Sequence, residues 1–117
     1  MLKKKYSCVK VDQQKDGITW VIFNRPEKRN AMSPTFHAEM MEIMTLLETD
    51  ADTKLVILTG EGVSYSAGQD LKEYFRETDG KPEVKSKASA DSRWRSEKLW
   101  MYNKPTISMV NGFCIGG

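Results

Sequence analysis

An α/β fold is predicted for this 117-residue chain by three features of its sequence. Apolar residues recur at helical spacing over residues 34–49, and the continuous apolar run Leu55-Val56-Ile57-Leu58 follows at once, the pattern of a strand buried on both faces of a parallel sheet. A second β-prone stretch, residues 106–110, precedes a glycine-rich end. Near the start, two β-prone runs flank Asp16-Gly17, a pair suited to a reverse turn between antiparallel strands. With 39% apolar and 29% charged residues, the chain has the balance of one small globular unit, or part of one, with no room for two ordinary domains.

In order along the chain, residues 7–11 and 18–24 are predicted to form the hairpin. Asn24-Arg25-Pro26-Glu27-Lys28-Arg29-Asn30 has no apolar periodicity, and Pro26 disfavours helix at Arg25, so an exposed polar loop is expected. Ser33-Pro34 reads as an N-cap followed by proline at the first helical position. Phe36, Met40, Ile43, Met44 and Leu47 then mark one face of a helix ending near Thr49. A helix between two strands of one sheet implies a right-handed crossover. Residues 60–68 read as a small-residue loop, and Asp70 as the cap of a short helix carrying Leu71, Tyr74 and Phe75. Residues 78–92 are polar, expected to be mobile or only partly helical. Residues 93–102 read as a helix stopped by Lys104-Pro105. Ending on Gly116-Gly117 straight after a strand is unusual, because such glycines ordinarily lead into a helix or a ligand loop. A chain cut short at Gly117 is therefore expected.

Several function classes are not indicated. The 18 basic and 16 acidic residues leave a net charge of +2, too little to argue for nucleic acid. No apolar run approaches the ~20 residues of a membrane-spanning helix, and the basic start lacks the apolar stretch of a signal peptide, so a cytoplasmic location is expected. Cys8 and Cys114 lie far apart without CxxC spacing and read as reduced, packed thiols. His37, the single histidine, gives a metal site or His-based triad little to draw on, and no metal is expected.

Two glycine-containing turns follow predicted strands: Ser66-Ala67-Gly68-Gln69-Asp70 and Asn111-Gly112-Phe113-Cys114-Ile115-Gly116-Gly117. Neither matches a dinucleotide or P-loop pattern. Each can bring a peptide N–H into a shared site, and two such donors make an oxyanion hole; ordinary turns at strand ends are the alternative, and it stays open.

Asn24-Arg25-Pro26-Glu27-Lys28-Arg29-Asn30-Ala31-Met32, Ser66-Ala67-Gly68-Gln69-Asp70-Leu71, Lys104-Pro105-Thr106-Ile107, Val110-Asn111-Gly112 and Gly116-Gly117 resemble, in order and spacing, the N-terminal half of the crotonase family, also called the enoyl-CoA hydratase/isomerase superfamily. The segment 70–77 with Trp100-Met101-Tyr102 looks most like its hydroxycinnamoyl-CoA (feruloyl-CoA) hydratase/lyase branch. The resemblance implies part of a spiral of repeated ββα units and a site for an acyl-CoA thioester. The thioester's carbonyl oxygen is held by the peptide N–H groups matched here by Gln69 and Gly117. Lys28 matches a contact to the nucleotide end of CoA. Ala67, Gln69 and Leu71 match positions whose backbone lines the CoA and thioester channel. Tyr74 matches a tyrosine that bonds the substrate's para-phenolic oxygen.

The implied reaction hydrates a feruloyl- or p-coumaroyl-type thioester and splits the product into an aromatic aldehyde and acetyl-CoA. It needs no separate cofactor, because coenzyme A is part of the substrate. A trimer or hexamer is implied for the full-length parent. The family's catalytic glutamate and second phenol-binding tyrosine would lie beyond Gly117; Glu61, Asp70 and Glu73 read instead as surface groups or a helix cap. The 117 residues alone are therefore expected to be inactive. Two alternatives stay open: another crotonase such as an enoyl-CoA hydratase or isomerase, and a noncatalytic CoA-binding or interaction module.

Overall fold

The chain turns at Gly17, which has φ +93°, while the Ile18 N–H bonds back to Asp16 Oδ1 at 3.1 Å. In the computed structural model, which describes residues 2–117, this turn joins β1 (Val9–Gln13) to β2 (Ile18–Phe23) as an antiparallel pair with Val9 opposite Phe23. β1 starts two residues later than predicted for a physical reason. The N–H groups of Ser7 and Cys8 go instead to the Glu39 carboxylate, at 2.8 and 2.7 Å.

The next element, α1 (Pro34–Thr49), keeps its expected start and end. Ser33 Oγ accepts the Phe36 N–H at 3.1 Å, satisfying one of the unpaired donors of the first turn. Its stripe of Phe36, Met40, Ile43, Met44 and Leu47 is wholly buried and shares one core with Val9, Val21, Phe23, Val56 and Leu58. The helix leads to β3 (Leu55–Gly60), which lies parallel to β2 with Trp20 beside Ile57. After β4 (Ser64–Ser66) come α2 (Leu71–Thr78) and α3 (Pro82–Asp91), then β5 (Thr106–Ser108) and β6 (Phe113–Cys114).

The large sheet has the order β1-β2-β3-β5, with β3 and β5 parallel, and a second sheet pairs β4 with β6, also parallel. The chain is thus built of successive two-strand units: β1-β2-α1, then β3-β4 with α2 and α3, then β5-β6. In the second and third units the first strand joins the large sheet and the second strand joins the small one. This is the α/β architecture of repeated ββα units expected from the resemblance.

Further expectations need correction. The loop over 24–30 is not simply exposed: it holds a short 3-10 turn at Pro26–Lys28, and Asn30 is completely buried. β3 is buried on one face only. Val56 and Leu58 face the core, whereas Leu55 and Ile57 are half-buried, in line with Trp20 and with Ile107, which is 47% exposed. Residues 82–91, expected to be mobile or partly helical, form the whole of α3. Its single buried residue, Ala88, is too small to produce an apolar stripe. Residues 93–102 are not a regular helix: a 3-10 turn at Ser92–Trp94 gives way to widened turns, with Lys98 N–H bonded to the Arg93 carbonyl and Leu99 N–H to that of Trp94. Trp94 and Leu99 both pack on the core, and residues five apart share a face only when the turn is widened. Finally, Cys8 is buried as expected but Cys114 is exposed.

Candidate functional site

The first glycine turn lies between β4 and α2, held from below by Asn30. Asn30 has φ +58°, a left-handed conformation that asparagine tolerates. Its Nδ2 donates to the carbonyls of Glu61 and Ser64 at 3.0 and 2.8 Å, and its Oδ1 accepts the Arg25 N–H at 2.8 Å. Its own carbonyl accepts from Ser66 Oγ at 2.9 Å, and that same hydroxyl receives the Gly68 N–H at 3.1 Å. Gly68 sits at φ +93°, and a Cβ there would stand 2.6 Å from the Ile115 carbonyl oxygen. Only glycine lets the two turns come this close.

Met32 then bridges the turn. Its N–H donates to the Gly68 carbonyl at 2.7 Å, and its carbonyl accepts the Asp70 N–H at 2.8 Å. Because the peptide is planar and trans, a Gly68 carbonyl aimed at Met32 turns the Gln69 N–H the opposite way. No acceptor meets that N–H among the described residues. Asp70 begins α2 by accepting the Glu73 N–H at 3.1 Å and pairs with Arg25 Nη2 at 3.0 Å, both side chains being 11% exposed. Arg25 Nη1 also donates to the Ala31 carbonyl. Burial would raise the Asp70 carboxyl, but the Glu73 N–H and the Arg25 guanidinium outweigh it and hold the group below its ordinary value. Asp70 is therefore an ionised cap, as expected. Glu61 pairs with Lys10 at 2.9 Å and Glu73 with Arg76 at 2.6 Å, both at the surface.

The second glycine turn follows β6. Ile115 N–H bonds to the Ser66 carbonyl at 3.0 Å, which lays residues 115–117 beside residues 66–68. A Cβ on Gly117 would lie 3.4 Å from Gly68 Cα and would collide with the Met32 side chain. The Gly117 N–H likewise meets no acceptor among the described residues, while the main-chain oxygen of this last residue accepts from Arg95 Nη1 at 2.9 Å. Gly116 and Gly117 line a cavity of about 250 Å³ with Phe23, Tyr65, Trp94 and Arg95. Gln69 and Tyr74 line an adjoining one of about 190 Å³ with His37, Ser92 and Arg95. The two residues that carry the unpaired N–H groups thus line two cavities that share Arg95 as a wall.

The remaining expected site residues are more dispersed. Ala67 and Leu71 are exposed on either side of Gln69, and Lys28 is exposed at the end of the Pro26–Lys28 turn. Tyr74 is half-buried, its ring against that of Phe75 at 5.6 Å between centroids.

Sequence reasoning passed over His37, Trp94 and Arg95. His37 is 1% exposed. Its Nδ1 lies 3.1 Å from Trp94 Nε1 and its Nε2 lies 3.0 Å from Gln69 Oε1. An indole N–H can only donate, so Nδ1 accepts and Nε2 carries the proton that is donated to Gln69. Burial holds the imidazole below its ordinary pKa, keeping it neutral in this tautomer. The available signal was position: His37 falls between Phe36 and Met40 on the apolar stripe of α1. Arg95, by contrast, sits in a segment whose widened turns have no periodic signature.

The enoyl-CoA hydratase/isomerase family profile matches residues 13–117. The chain is 52% identical over 116 residues to the hydroxycinnamoyl-CoA hydratase-lyase of Pseudomonas fluorescens, covering 97% of this chain and 41% of that protein. It is 35% identical over 102 residues to the human enoyl-CoA delta isomerase 2, covering 86% of this chain and 26% of that one. Its fold matches the crystal structure of an enoyl-CoA hydratase/isomerase from Mycobacterium paratuberculosis with a TM-score of 0.81 at 22% identity, over 93% of this chain and 43% of the other. The chain thus spans less than half the length of each of these proteins. The profile match over nearly the whole chain, together with the spiral of ββα units, makes this chain a member of the enoyl-CoA hydratase/isomerase, or crotonase, family.

Proposed function

We propose that this chain is the acyl-CoA thioester-binding part of a hydroxycinnamoyl-CoA hydratase/lyase, with the thioester carbonyl oxygen received by the peptide N–H groups of Gln69 and Gly117. The observation that carries this reading is that both N–H groups lack an acceptor although their glycine turns are pressed together. Peptide donors fixed beside a cavity suit an oxygen that gains charge, and each such donor is worth roughly a hundredfold to a thousandfold in rate at comparable sites. The 52% identity to the Pseudomonas fluorescens hydratase-lyase supports this branch of the family.

In this reading, water adds across the double bond of a feruloyl- or p-coumaroyl-type thioester. The β-hydroxyl then loses its proton as the Cα–Cβ bond breaks. The electrons pass through the enolate held by Gln69 and Gly117, and reprotonation at Cα yields acetyl-CoA beside the aromatic aldehyde. Tyr74, in the cavity that Gln69 lines, bonds the para-phenolic oxygen. Ala67 and Leu71 line the channel through their backbone, and Lys28 meets the nucleotide end of CoA as an exposed cation. The proton-transferring acid is assigned to none of these 117 residues.

The test is a chimera joining residues 1–117 to the part of the Pseudomonas fluorescens hydratase-lyase that this chain does not match. Aldehyde formation from feruloyl-CoA is the expected result; hydration of crotonyl-CoA without aldehyde would instead identify a simple enoyl-CoA hydratase. In the same chimera Lys28→Ala should raise KM for feruloyl-CoA with kcat little changed, because the nucleotide end of CoA is unaltered in the transition state. A steep fall in kcat at constant KM would refute the nucleotide contact.

A further inference from the structure

We propose that the Gln69 side-chain amide is a specificity-determining contact for the acyl group, presenting a fixed N–H donor to an ether oxygen on its aromatic ring, and that Trp94 and His37 are the positioning residues that set this polarity. This rests on the thioester reading above.

The polarity follows from one group that has no choice. An indole N–H can only donate, so Trp94 Nε1, 3.1 Å from His37 Nδ1, makes that nitrogen an acceptor. The hydrogen of the neutral ring is then on Nε2, 3.0 Å from the Gln69 amide, and the amide atom that meets it must be the oxygen. Oε1 therefore faces His37, and the amide nitrogen with its two hydrogens takes the opposite corner of the planar group. Trp94 thus decides, through His37, which end of the amide is turned to the ligand.

Both ends of the glutamine are held. Its backbone is pinned by Met32, whose N–H donates to the Gly68 carbonyl at 2.7 Å and whose carbonyl accepts the Asp70 N–H at 2.8 Å. Its far end is held by an imidazole that is 1% exposed on α1, and the imidazole by an indole that is 3% exposed and packs on Phe23 and Phe36, with ring centroids 6.3 Å away in each case. A donor fixed in this way before the ligand arrives loses little freedom on binding it.

What the donor suits is set by the cavity of about 190 Å³ that Gln69 lines with Tyr74, Ser89 and Ser92. The hydroxyls of these three can accept as well as donate, and Ser92 spends its hydrogen on the Ser89 carbonyl at 2.6 Å. The Gln69 amide, its oxygen turned to His37, offers hydrogens. It is matched by an oxygen that can only accept. Of the two acyl groups considered above, the feruloyl ring carries such an oxygen, in the methoxyl beside the para-hydroxyl given to Tyr74, and the p-coumaroyl ring lacks it.

The experiment titrates the 117-residue chain with feruloyl-CoA, p-coumaroyl-CoA and free CoA, and takes the ratio of the two thioester affinities as its readout, because general damage weakens both alike. One net hydrogen bond corresponds to about two- to tenfold in affinity, so feruloyl-CoA should bind about fivefold more tightly than p-coumaroyl-CoA. Gln69→Leu removes the amide, and Trp94→Phe keeps an aromatic ring but releases His37 Nδ1; each should bring the ratio close to one. Nitrogen NMR of the His37 ring should show its hydrogen on Nε2 in the unaltered chain, and this measurement with Gln69→Leu carries the test should Trp94→Phe not fold. An unaltered chain without the preference, a folded variant that keeps it, or a hydrogen on Nδ1 would each overturn the proposal while leaving the thioester reading intact. Thioesters that bind no more tightly than free CoA would overturn that reading and the proposal with it.

Discussion

At the scale of single residues, the most informative group is one whose type argued against a role. His37 is the only histidine in the chain, and burial keeps it neutral. Its folded pKa is lowered below the ordinary 6.5, so between those two values the unfolded chain binds a proton that the folded chain does not. Stability is then fully present above about pH 6.5 and is lost as pH falls from there toward the folded value. Urea unfolding at pH 7.5 and 5.5 should show a lower midpoint at the acidic pH, and His37→Gln should abolish most of that difference. An equal drop in both proteins would assign it to other groups. Tyr74 offers a second test. In the chimera, Tyr74→Phe should reduce kcat/KM for feruloyl-CoA selectively against cinnamoyl-CoA, because a buried phenolic hydroxyl without its partner costs ~1 to 3 kcal/mol. Equal responses would make Tyr74 a packing residue.

At the scale of elements, α1 was legible because local chemistry and burial agree. Ser33 caps it, Pro34 starts it, and one continuous stripe meets the sheet. Ser33→Ala should lower stability by about 1 kcal/mol, seen as a lower Tm, since the Phe36 N–H loses its acceptor in a buried setting. A Tm unchanged by this substitution would show that the cap contributes nothing. α3 was not legible for the converse reason: Ala88 alone enters the interior, and charged residues such as Lys87 and Asp91, paired at 2.6 Å, occupy its surface. β4 and β6 were hidden inside segments read as glycine loops. With three and two residues they are too short for alternation to register, and they exist because they pair with each other.

At the scale of the whole molecule, the core is asymmetric. α1 covers one face of the large sheet, while Trp20, Ile57 and Ile107 form an apolar row on the other. Trp100, Met101, Met109, Val110, Phe113 and Ile115 are also exposed, Trp100 at 83%. Contiguous apolar surface of this kind favours association. The purified chain should sediment above its 13.4 kDa monomer mass in a concentration-dependent manner, and Ile107→Lys should shift it toward monomer. Monomeric behaviour at every concentration would show that this surface is not adhesive. No helix among the described residues is long and apolar enough to cross a membrane.

The sequence by itself determined the elements whose signals are local and repeated: the Asp16-Gly17 turn, capped α1, the Asp70 cap of α2, and β3 and β5 as sheet strands. It also carried the two glycine turns and, through their wording, the family. Only the tertiary structure decided what meets what. Lys28 and Gln69 belong to neighbouring motifs, yet Lys28 stands exposed at a turn while Gln69 is drawn into contact with His37, 32 positions earlier. Trp94 carries no motif, yet its indole N–H meets His37 Nδ1, 57 positions earlier, because the core seats both side chains. Hydrogen bonds between distant segments leave no periodicity to read, since each depends on one distance that exists only after the sheets have formed.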